Sequence, residues 1–475
     1  MKTPPRVLGF DAPFIKASRL VCLVSAAAAI LALGCGFAAE PVAVGVARVD
    51  ITPELPIQLA GYQSRTTEAT RVAAPLTARA LAIGSDAEGP VVLITADVIA
   101  IDERMTEAVA AAIRARHPIP RERVAVCATH LHTGPAIART IPFMFSRDLP
   151  ADATARIERY ADLVQRRLIE VALAALADRK PARLAWAQGQ VEFAVNRRLI
   201  TNGKHTGFKT TPGGPVDHAL PVLRAVDERG GVRALLVNYA CHCTTLRGGD
   251  NFVHPDWAGE AATRIEAAHA GAVALVAIGC GADADPQGRG LPGVASQGAT
   301  IADEVARLLA GEMRPVGAVT SARFRRIELP LARVVPREEL EARLKGRPNV
   351  AYAAAQHLRT LDAGKPLPAS VGYPVQAWAF GSEFAMVFLG GEVVAEYALR
   401  LKRELGAARL WVNAYANHVP CYIPSRQVLS EGGYEAEGAM DYYGFPTRLA
   451  DDTEDRIVRT VHELLPAAFA KSPAR

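Results

Sequence analysis

The feature that most constrains the fold of this chain is the alternation, along the sequence, of short apolar runs with longer stretches of helical periodicity. Val124–Ala128 and residues 272–278 are unbroken apolar runs of strand length, as expected for strands that are buried on both faces. Residues 154–177 and 258–268 place apolar side chains at helical spacing. This order predicts a mixed α/β fold with buried strands.

The same pattern continues along the chain without an internal repeat or a Pro/Ser-rich linker. Residues 81–83 and 91–95 are predicted to pair as strands, and residues 376–389 to form a hairpin that turns at Gly381 and Ser382. The other predicted elements are strands at 184–187, 235–240 and 323–331 and helices at 106–116, within 336–361 and from Glu392 to residue 405. Because no linker separates two halves, we predict one large unit over residues 40–470.

Residues 1–39 have the layout of a secretory signal peptide. Basic residues precede an apolar run at 20–33, which ends in small residues at Ala38 and Ala39. We therefore expect an exported protein that is periplasmic, secreted or lipid-anchored, since Cys35 also lies in an imperfect lipoprotein cleavage site. An uncleaved leader that acts as an anchor is the alternative, although the run is shorter than the ~20 residues of a membrane span.

The composition indicates a globular chain, because 50% of its residues are hydrophobic and no segment is of low complexity. The formal net charge of +5 is small for 475 residues, and the arginines are scattered without aromatic residues between them. These features argue against a nucleic-acid partner.

Five cysteines follow the leader, at positions 127, 241, 243, 280 and 421. Thiols spread so widely do not make a disulfide framework. Cys241 and Cys243 flank His242, so a zinc thiolate site is an alternative, but no CxxC pair accompanies them. We favour small buried residues at a packed site.

Histidines directly follow two of the predicted strands. His130 and His132 lie two residues apart after Val124–Ala128, and in an extended backbone both imidazoles would face the same side. His242 follows the strand predicted at 235–240. Strand ends that lead into loops are where α/β sheets place their sites. A metal ligand with a neighbouring proton donor fits this arrangement, and ordinary polar histidines are the alternative.

Carboxylates extend the candidate set. Asp283 and Asp285 follow the strand predicted at 272–278, Asp256 lies shortly before that strand, and Glu392 follows the predicted hairpin. Solvated aspartates in a turn and a glutamate that favours a helix dipole are the simpler interpretations. Hydrolytic zinc, however, commonly takes three ligands from His and Glu and leaves a position for water. The chain offers such a set at strand ends.

Eight short motifs occur in a fixed order between about Val44 and about Pro446. They are DITP at 50–53 with GY at 61–62, TAD at 95–97, ATHLHTGP at 128–135, NR at 196–197, NYACHCT at 238–244, GADADP at 281–286, GE at 391–392 and YEAEGA at 434–439. This order resembles the catalytic domain of the neutral/alkaline non-lysosomal ceramidase family.

The resemblance implies a site and a reaction. The implied ligands of one Zn²⁺ per chain are His130, His242, Glu392 and Tyr434. His132 would stabilise the tetrahedral oxyanion or protonate the leaving group, and Arg197 would bind substrate. The implied reaction is hydrolysis of the N-acyl amide of ceramide-like lipids by metal-activated water. A lipid or other small-molecule substrate, with peripheral membrane contact, is therefore expected.

The chain departs from the family pattern in two ways. Asp285 stands where the family has a serine that attacks or orients water, so an acyl-serine route is not expected; Asp285, or Asp283 if the alignment slips, is a candidate general base. Asp256 is a further catalytic candidate whose role is open. The second departure is the expected lack of the β-sandwich module that follows the catalytic domain in true ceramidases.

Two alternative functions follow from these departures. One is a secreted metallohydrolase on the same scaffold that acts on a non-ceramide amide or ester. The other is a non-catalytic metal-binding protein, against which the intact set of His130, His132, His242 and Glu392 argues.

Overall fold

Two sheets organise the fold in the computed structural model, which describes residues 1–5, 9, 40–211 and 213–470. The strands are β1 (Val42–Asp50), β2 (Thr77–Ile83), β3 (Val91–Ala96), β4 (Val124–Ala128), β5 (Lys180–Gln190), β6 (Ala194–Asn196), β7 (Arg198–Thr201), β8 (Lys204–Phe208), β9 (Ala219–Asp227), β10 (Val232–Tyr239), β11 (Val273–Ile278), β12 (Ala284–Pro286), β13 (Arg314–Val316), β14 (Ser321–Pro330), β15 (Ser370–Phe380), β16 (Phe384–Leu389), β17 (Glu392–Val393), β18 (Leu410–Asn413) and β19 (Tyr422–Ile423). The helices are α1 (Glu103–Arg114), α2 (Ala151–Ala177), α3 (Asp256–Ala268), α4 (Gly290–Ala310), α5 (Arg337–Arg343), α6 (Pro348–Asp362), α7 (Ala395–Leu405), α8 (Arg426–Glu431), α9 (Met440–Tyr443) and α10 (Thr453–Leu464). Shorter helical turns cover Arg121–Arg123, Tyr434–Gly438 and Ala467–Phe469.

The larger sheet has nine strands in the order β11-β10-β9-β5-β1-β2-β3-β4, with β13 paired to β5. Its interior pairs are antiparallel, whereas β3 with β4 and β10 with β11 are parallel. The two unbroken apolar runs lie in β4 and β11, one in each parallel pair, as expected for strands that are covered on both faces. Beyond these strands, Leu131 and Cys243 form a parallel bridge. The segments after β4 and β10 therefore meet.

The second sheet has the order β14-β15-β16-β18 and packs on one face of the larger sheet. Alternate residues of β2 and β3, such as Leu81 and Leu93, point towards it, and Val92 and Ile94 point to the other face. Phe384 lies between the sheets, stacked on Trp186 with 4.6 Å between ring centroids. Helices α2, α3 and α4 cover the opposite face of the larger sheet, and α7 and α10 cover the outer face of the second sheet, so the core has four layers.

The structure confirms a mixed α/β fold and most of the predicted elements, including Val124–Ala128 and the two predicted hairpins. One prediction is wrong: Glu392 does not begin a helix. It lies in β17, which pairs with β19, and α7 begins at Ala395. The backbone amide of Glu392 donates to Cys421 O, so this residue is held as a strand.

Residues from 41 onward cluster as one compact unit. The predicted leader lies almost wholly outside the described residues. Among those described, no helix has the length and apolar character that a bilayer crossing requires.

Candidate metal centre

His130 is positioned by the end of β4. Its φ of +54° lies in the left-handed region, so the extended backbone that was expected to continue from His130 to His132 ends at His130. Thr129 N donates to Ala96 O and Leu131 N to Val98 O, which fix the turn on both sides. The ring Nδ1 lies 2.8 Å from Ile99 O. Because a carbonyl can only accept, Nδ1 carries the proton and Nε2 presents a lone pair.

His242 repeats this arrangement after β10. Its Nδ1 lies 2.8 Å from Gly281 O, so its Nε2 is also the unprotonated nitrogen. The side chain is fully buried, and its backbone is tied to Ala284 O and to the Trp257 indole. Burial, followed by the charge of Arg197, lowers the pKa of His242 below its usual value. The imidazole is therefore neutral, as a metal ligand requires.

Glu392 faces both lone pairs from the second sheet. Its Oε2 lies 2.9 Å from His130 Nε2 and 3.2 Å from His242 Nε2. Burial opposes ionisation of the carboxyl, and the pKa of Glu392 falls well below its usual value only if the neighbouring imidazoles are protonated. Oε2 nevertheless has no hydrogen-bond partner of acceptable geometry among the described residues. Three acceptors directed at one point repel each other unless a cation lies between them, so the residues present fit a metal ion.

His132 lies beside these ligands. Its Nε2 is 3.2 Å from His130 Nε2, and the ligating nitrogens of His130, His132 and His242 all lie within 4.8 Å of one another. The histidine trio is therefore compatible with metal, although Glu392 Oε2 is the nearer partner of His130. Burial and the two other imidazoles lower the pKa of His132 well below its usual value. Its buried Nδ1 has no partner within the described part of the chain.

Tyrosine hydroxyls surround the carboxylate. Tyr422 OH lies 3.5 Å from His242 Nε2 and accepts from Arg197 at 3.0 Å. Burial and the charge of Glu392 raise the pKa of this hydroxyl well above its usual value, and the charge of Arg197 opposes them. Tyr443 OH donates to Glu392 Oε1. Tyr434, the tyrosine implied by the resemblance, lines the same cavity with its ring centroid 5.3 Å from that of Tyr422. Of the tyrosine hydroxyls, that of Tyr443 contacts Glu392 and that of Tyr422 contacts His242, and Tyr434 as a ligand stays a prediction.

Arg197 and Asp285 lie behind Tyr422. Arg197 contacts Asp285 at 3.2 Å and Glu435 at 2.9 Å. The other oxygen of Asp285 lies 3.1 Å from Arg247. Burial raises the pKa of Asp285, but the arginines around it outweigh this effect and lower it to about 2. Asp285 is thus an ionised member of an arginine cluster, and it does not line the cavity at the metal centre. Its role as a general base stays a prediction.

Asp256 lies at the start of α3, where both of its carboxylate oxygens are taken by backbone amides. Leu246 N donates to Oδ2 at 3.0 Å and Trp257 N to Oδ1 at 2.7 Å. The side chain is fully buried and does not line the cavity at the metal centre. These contacts hold the loop after His242, and a catalytic role for Asp256 also stays a prediction.

Cys241 and Cys243 are buried free thiols. Burial is the largest cause that raises the pKa of both thiols well above the usual value. Neutral thiols are poor zinc ligands, which favours the interpretation of these residues as packing residues.

A cavity of about 210 Å³ opens at the metal centre. His130, His132 and Glu392 lie on its wall together with polar residues and five tyrosines. Ile141 and Met144 form an apolar part of the wall. This cavity, called the catalytic cavity below, offers room for a reacting carbonyl and a short flanking group.

Sequence reasoning did not find Tyr422 or Tyr443. Tyr422 lies between Cys421 and Ile423 in a short buried strand, where the sequence pattern indicates that an aromatic side chain packs in the core. Only pairing between β17 and β19, which sequence periodicity does not reveal, places it beside Glu392.

Comparisons with known proteins show which family the chain resembles in sequence. A profile described as neutral/alkaline non-lysosomal ceramidase, N-terminal, matches residues 42–286, slightly more than half of the chain. The neutral ceramidase of Pseudomonas aeruginosa is 26% identical over 221 residues, which are 46% of this chain and only 32% of that relative.

Solved structures extend the likeness of the fold. The crystal structure of neutral ceramidase from Pseudomonas aeruginosa has a TM-score of 0.66 at 19% identity and covers 92% of this chain and 77% of that chain. A ceramidase complexed with C2 has a TM-score of 0.68 at 18% identity with the same coverage. The structural matches bear on the fold, and the profile match bears on the family: the chain belongs to the neutral/alkaline non-lysosomal ceramidase family.

Proposed function

We propose that the protein is a zinc-dependent hydrolase that cleaves the N-acyl amide of ceramide-like lipids with water as the nucleophile. The observation that carries the proposal is that His130 Nε2 and His242 Nε2 lie 2.9 Å and 3.2 Å from the same oxygen, Glu392 Oε2. Imidazole and carboxylate ligands with room for water beside them are typical of hydrolytic zinc sites. We assign Tyr422 as the fourth ligand in preference to Tyr434.

Zinc bound at these residues would supply Lewis-acid activation of the water and of the scissile carbonyl. The protein fixes the direction of its ligands through carbonyls, since Ile99 O and Gly281 O each hold one imidazole. Tyr443 donates to Glu392 Oε1 and leaves Oε2 directed at the histidines. These contacts orient the ligands before substrate binds.

His132 is the group best placed to move a proton. It is neutral, it lines the catalytic cavity, and its Nδ1 has no partner among the described residues. In this proposal the neutral imidazole donates a hydrogen bond to the oxyanion, or accepts the proton that the attacking water loses and delivers it to the leaving amine. Arg197 acts through Tyr422, which it contacts at 3.0 Å, and Asp285 holds Arg197.

A smaller non-ceramide amide or ester is the second candidate substrate. The observation that favours it is the limited volume of the catalytic cavity, about 210 Å³. On the basis of the sequence, we also propose that the protein is exported and contacts the membrane peripherally.

The test compares fatty-acid release from a fluorescent ceramide and from short-chain amides and esters by zinc-loaded wild type and His132→Ala. Wild type should be active and chelation should abolish the activity. His132→Ala should retain zinc and lose roughly 10²- to 10⁴-fold in kcat, the usual contribution of a general acid. Turnover of short substrates alone would select the second candidate. Zinc binding without hydrolysis of any substrate would instead indicate a non-catalytic metal-binding protein.

A further inference from the structure

An ion-pair network lies beside the metal centre and is unbalanced at its outer end. Four guanidiniums share three carboxylates in this network. At the inner end, the side chains of Arg197 and Arg198 are 11% and 3% exposed. At the outer end, Asp285 contacts Arg247 and Arg289, whose side chains are 43% and 42% exposed. The excess of positive charge is therefore open to solvent.

The two outer arginines, called the arginine pair below, approach the same carboxylate oxygen. Asp285 Oδ2 lies 3.1 Å from Arg247 Nη2 and 3.7 Å from Arg289 Nη2. No other carboxylate among the described residues forms an ion pair with either guanidinium. Partial burial and then the charge of Arg247 lower the pKa of Arg289. Since the two like charges repel each other, a further anion beside them would be stabilising.

The arginine pair has free hydrogen-bond donors on a fixed backbone. Arg247 donates through Nη2, and its Nε and Nη1 have no partner within the described part of the chain. Its backbone is held in a turn, because Arg247 N donates to Asp250 Oδ2 at 2.7 Å and Asp250 N to Arg247 O at 2.8 Å. Arg289 Nη1 donates to Gly288 O at 2.9 Å. A positioned guanidinium with free donors is suited to bind a carboxylate or a phosphate.

The loop that carries Arg247 packs against the wall of the catalytic cavity. Tyr62 lines this cavity, and its hydroxyl donates to Leu246 O at 3.3 Å. A Cβ added to Gly248 would lie 3.4 Å from the Tyr62 side chain. Burial raises the pKa of Tyr62, and the charge of Arg247 is the largest that opposes this effect. Arg247 is therefore next to a residue that a bound substrate would contact.

We propose that the arginine pair binds an anionic group of the substrate, such as a carboxylate, while the scissile amide lies at the metal centre. The inference rests on the proposed function and narrows its substrates to N-acyl amides that carry a negative charge, which ceramide itself does not. Asp285 then acts as a positioning residue, because its Oδ2 holds the two guanidiniums side by side.

The experiment measures kcat/KM of the zinc-loaded protein for two series of N-acyl amides. One series carries a carboxylate on the amine half and the other on the acyl half, at increasing distance from the scissile bond, and each compound is compared with its uncharged carboxamide. At the best spacing the carboxylate should be preferred at least about tenfold, as expected for hydrogen bonds to a charged group. The preference should fall as the salt concentration rises, because both guanidiniums are partly exposed.

Arg247→Gln and Arg289→Gln each remove one guanidinium and leave Asp285 paired with Arg197. Arg307→Gln is the matched control, because it removes the same charge from an exposed position in the last turn of α4. Each variant of the arginine pair should lower the carboxylate-to-carboxamide ratio of kcat/KM at least about fivefold, and the control less than about twofold. The affinity for inorganic sulfate, measured by calorimetry on zinc-loaded protein, should fall in the same two variants. Zinc content and the melting temperature report folding.

The outcomes separate the two proposals. Hydrolysis of carboxylates and carboxamides at equal kcat/KM for every spacing would overturn the anion site and leave the hydrolase intact. Sulfate binding that weakens in both variants of the arginine pair, without hydrolysis of any substrate, would support the anion site and overturn the proposed function. Sulfate affinity and substrate ratios that neither variant alters would overturn the anion site.

Discussion

The direction of three lone pairs explains the metal centre at the scale of single residues. Ile99 O and Gly281 O each accept from an imidazole Nδ1, and this leaves the two Nε2 atoms without protons beside Glu392 Oε2. A buried carboxylate oxygen without a donor costs free energy, on the order of 1–3 kcal/mol or more. A bound cation removes this cost, so metal binding and stability of the site are coupled.

The tyrosine assignment gives a residue-scale prediction. Tyr422→Phe should weaken zinc affinity roughly 10- to 100-fold, the range typical of groups that tune a metal site. Tyr434→Phe is the matched control and should change affinity less than about threefold, because no hydrogen bond among the described residues joins its hydroxyl to the ligand set. Competition titration with a chelator measures both. A larger loss of zinc affinity in Tyr434→Phe than in Tyr422→Phe would favour Tyr434 as the fourth ligand, as the resemblance implies.

The sequence was sufficient for residues that follow apolar strands directly. His130, His132 and His242 stand out because polar groups interrupt buried runs there, and the structure brings all three together. Asp285 stood out for the same reason and Asp256 because it lies shortly before the strand predicted at 272–278, but their oxygens are directed at arginines and backbone amides. Position at a strand end is thus a sound guide to proximity, but it does not determine which way a side chain points.

At the scale of elements, the segment from β17 to α7 decides where Glu392 lies. Pairing of β17 with β19 holds Glu392 extended and brings Tyr422 beside it. Asp283 then accepts from Ala395 N at 2.8 Å, at the first residue of α7. The sequence suggested a helix from Glu392 because the apolar period of α7 is strong, whereas a two-residue strand carries no periodic signal.

The carboxyl at the start of α7 gives a prediction about pH. Burial raises the pKa of Asp283 to about 6, above the ~3.9 of an unfolded chain. A raised folded-state pKa contributes stability that is fully present below about pH 4 and is lost as the pH rises through about 6. The loss is about 3 kcal/mol at most. Chemical denaturation from pH 4 to 7 should therefore show wild type losing stability relative to Asp283→Asn, and parallel pH curves would contradict this account.

At the scale of the whole molecule, the site exists because two sheets pack together. The larger sheet carries His130 and His242, the second sheet leads into Glu392, and Phe384 lies between them. Sequence periodicity found most strands of both sheets. It could not show their packing, because face-to-face contact depends on long-range pairing and not on local pattern.

Packing between the sheets is tested by Phe384→Ala. Phe384 is fully buried and its ring lies 4.6 Å from that of Trp186 and 5.9 Å from that of Trp411. The substitution should lower the free energy of unfolding by about 3–5 kcal/mol, and Phe384→Leu by less than about 1.5 kcal/mol. Urea denaturation measures both. A loss below about 1 kcal/mol in Phe384→Ala would show that this contact does not hold the two sheets together.

The central claim is that His130, His242 and Glu392 bind one metal ion, and elemental analysis of zinc-loaded protein tests it most directly. Wild type should contain about one zinc per chain, and His242→Ala and Glu392→Gln less than about a tenth of that. His254→Ala removes a buried histidine outside the cluster and should retain the metal. Wild type without zinc, or full zinc in both ligand variants, would contradict the account.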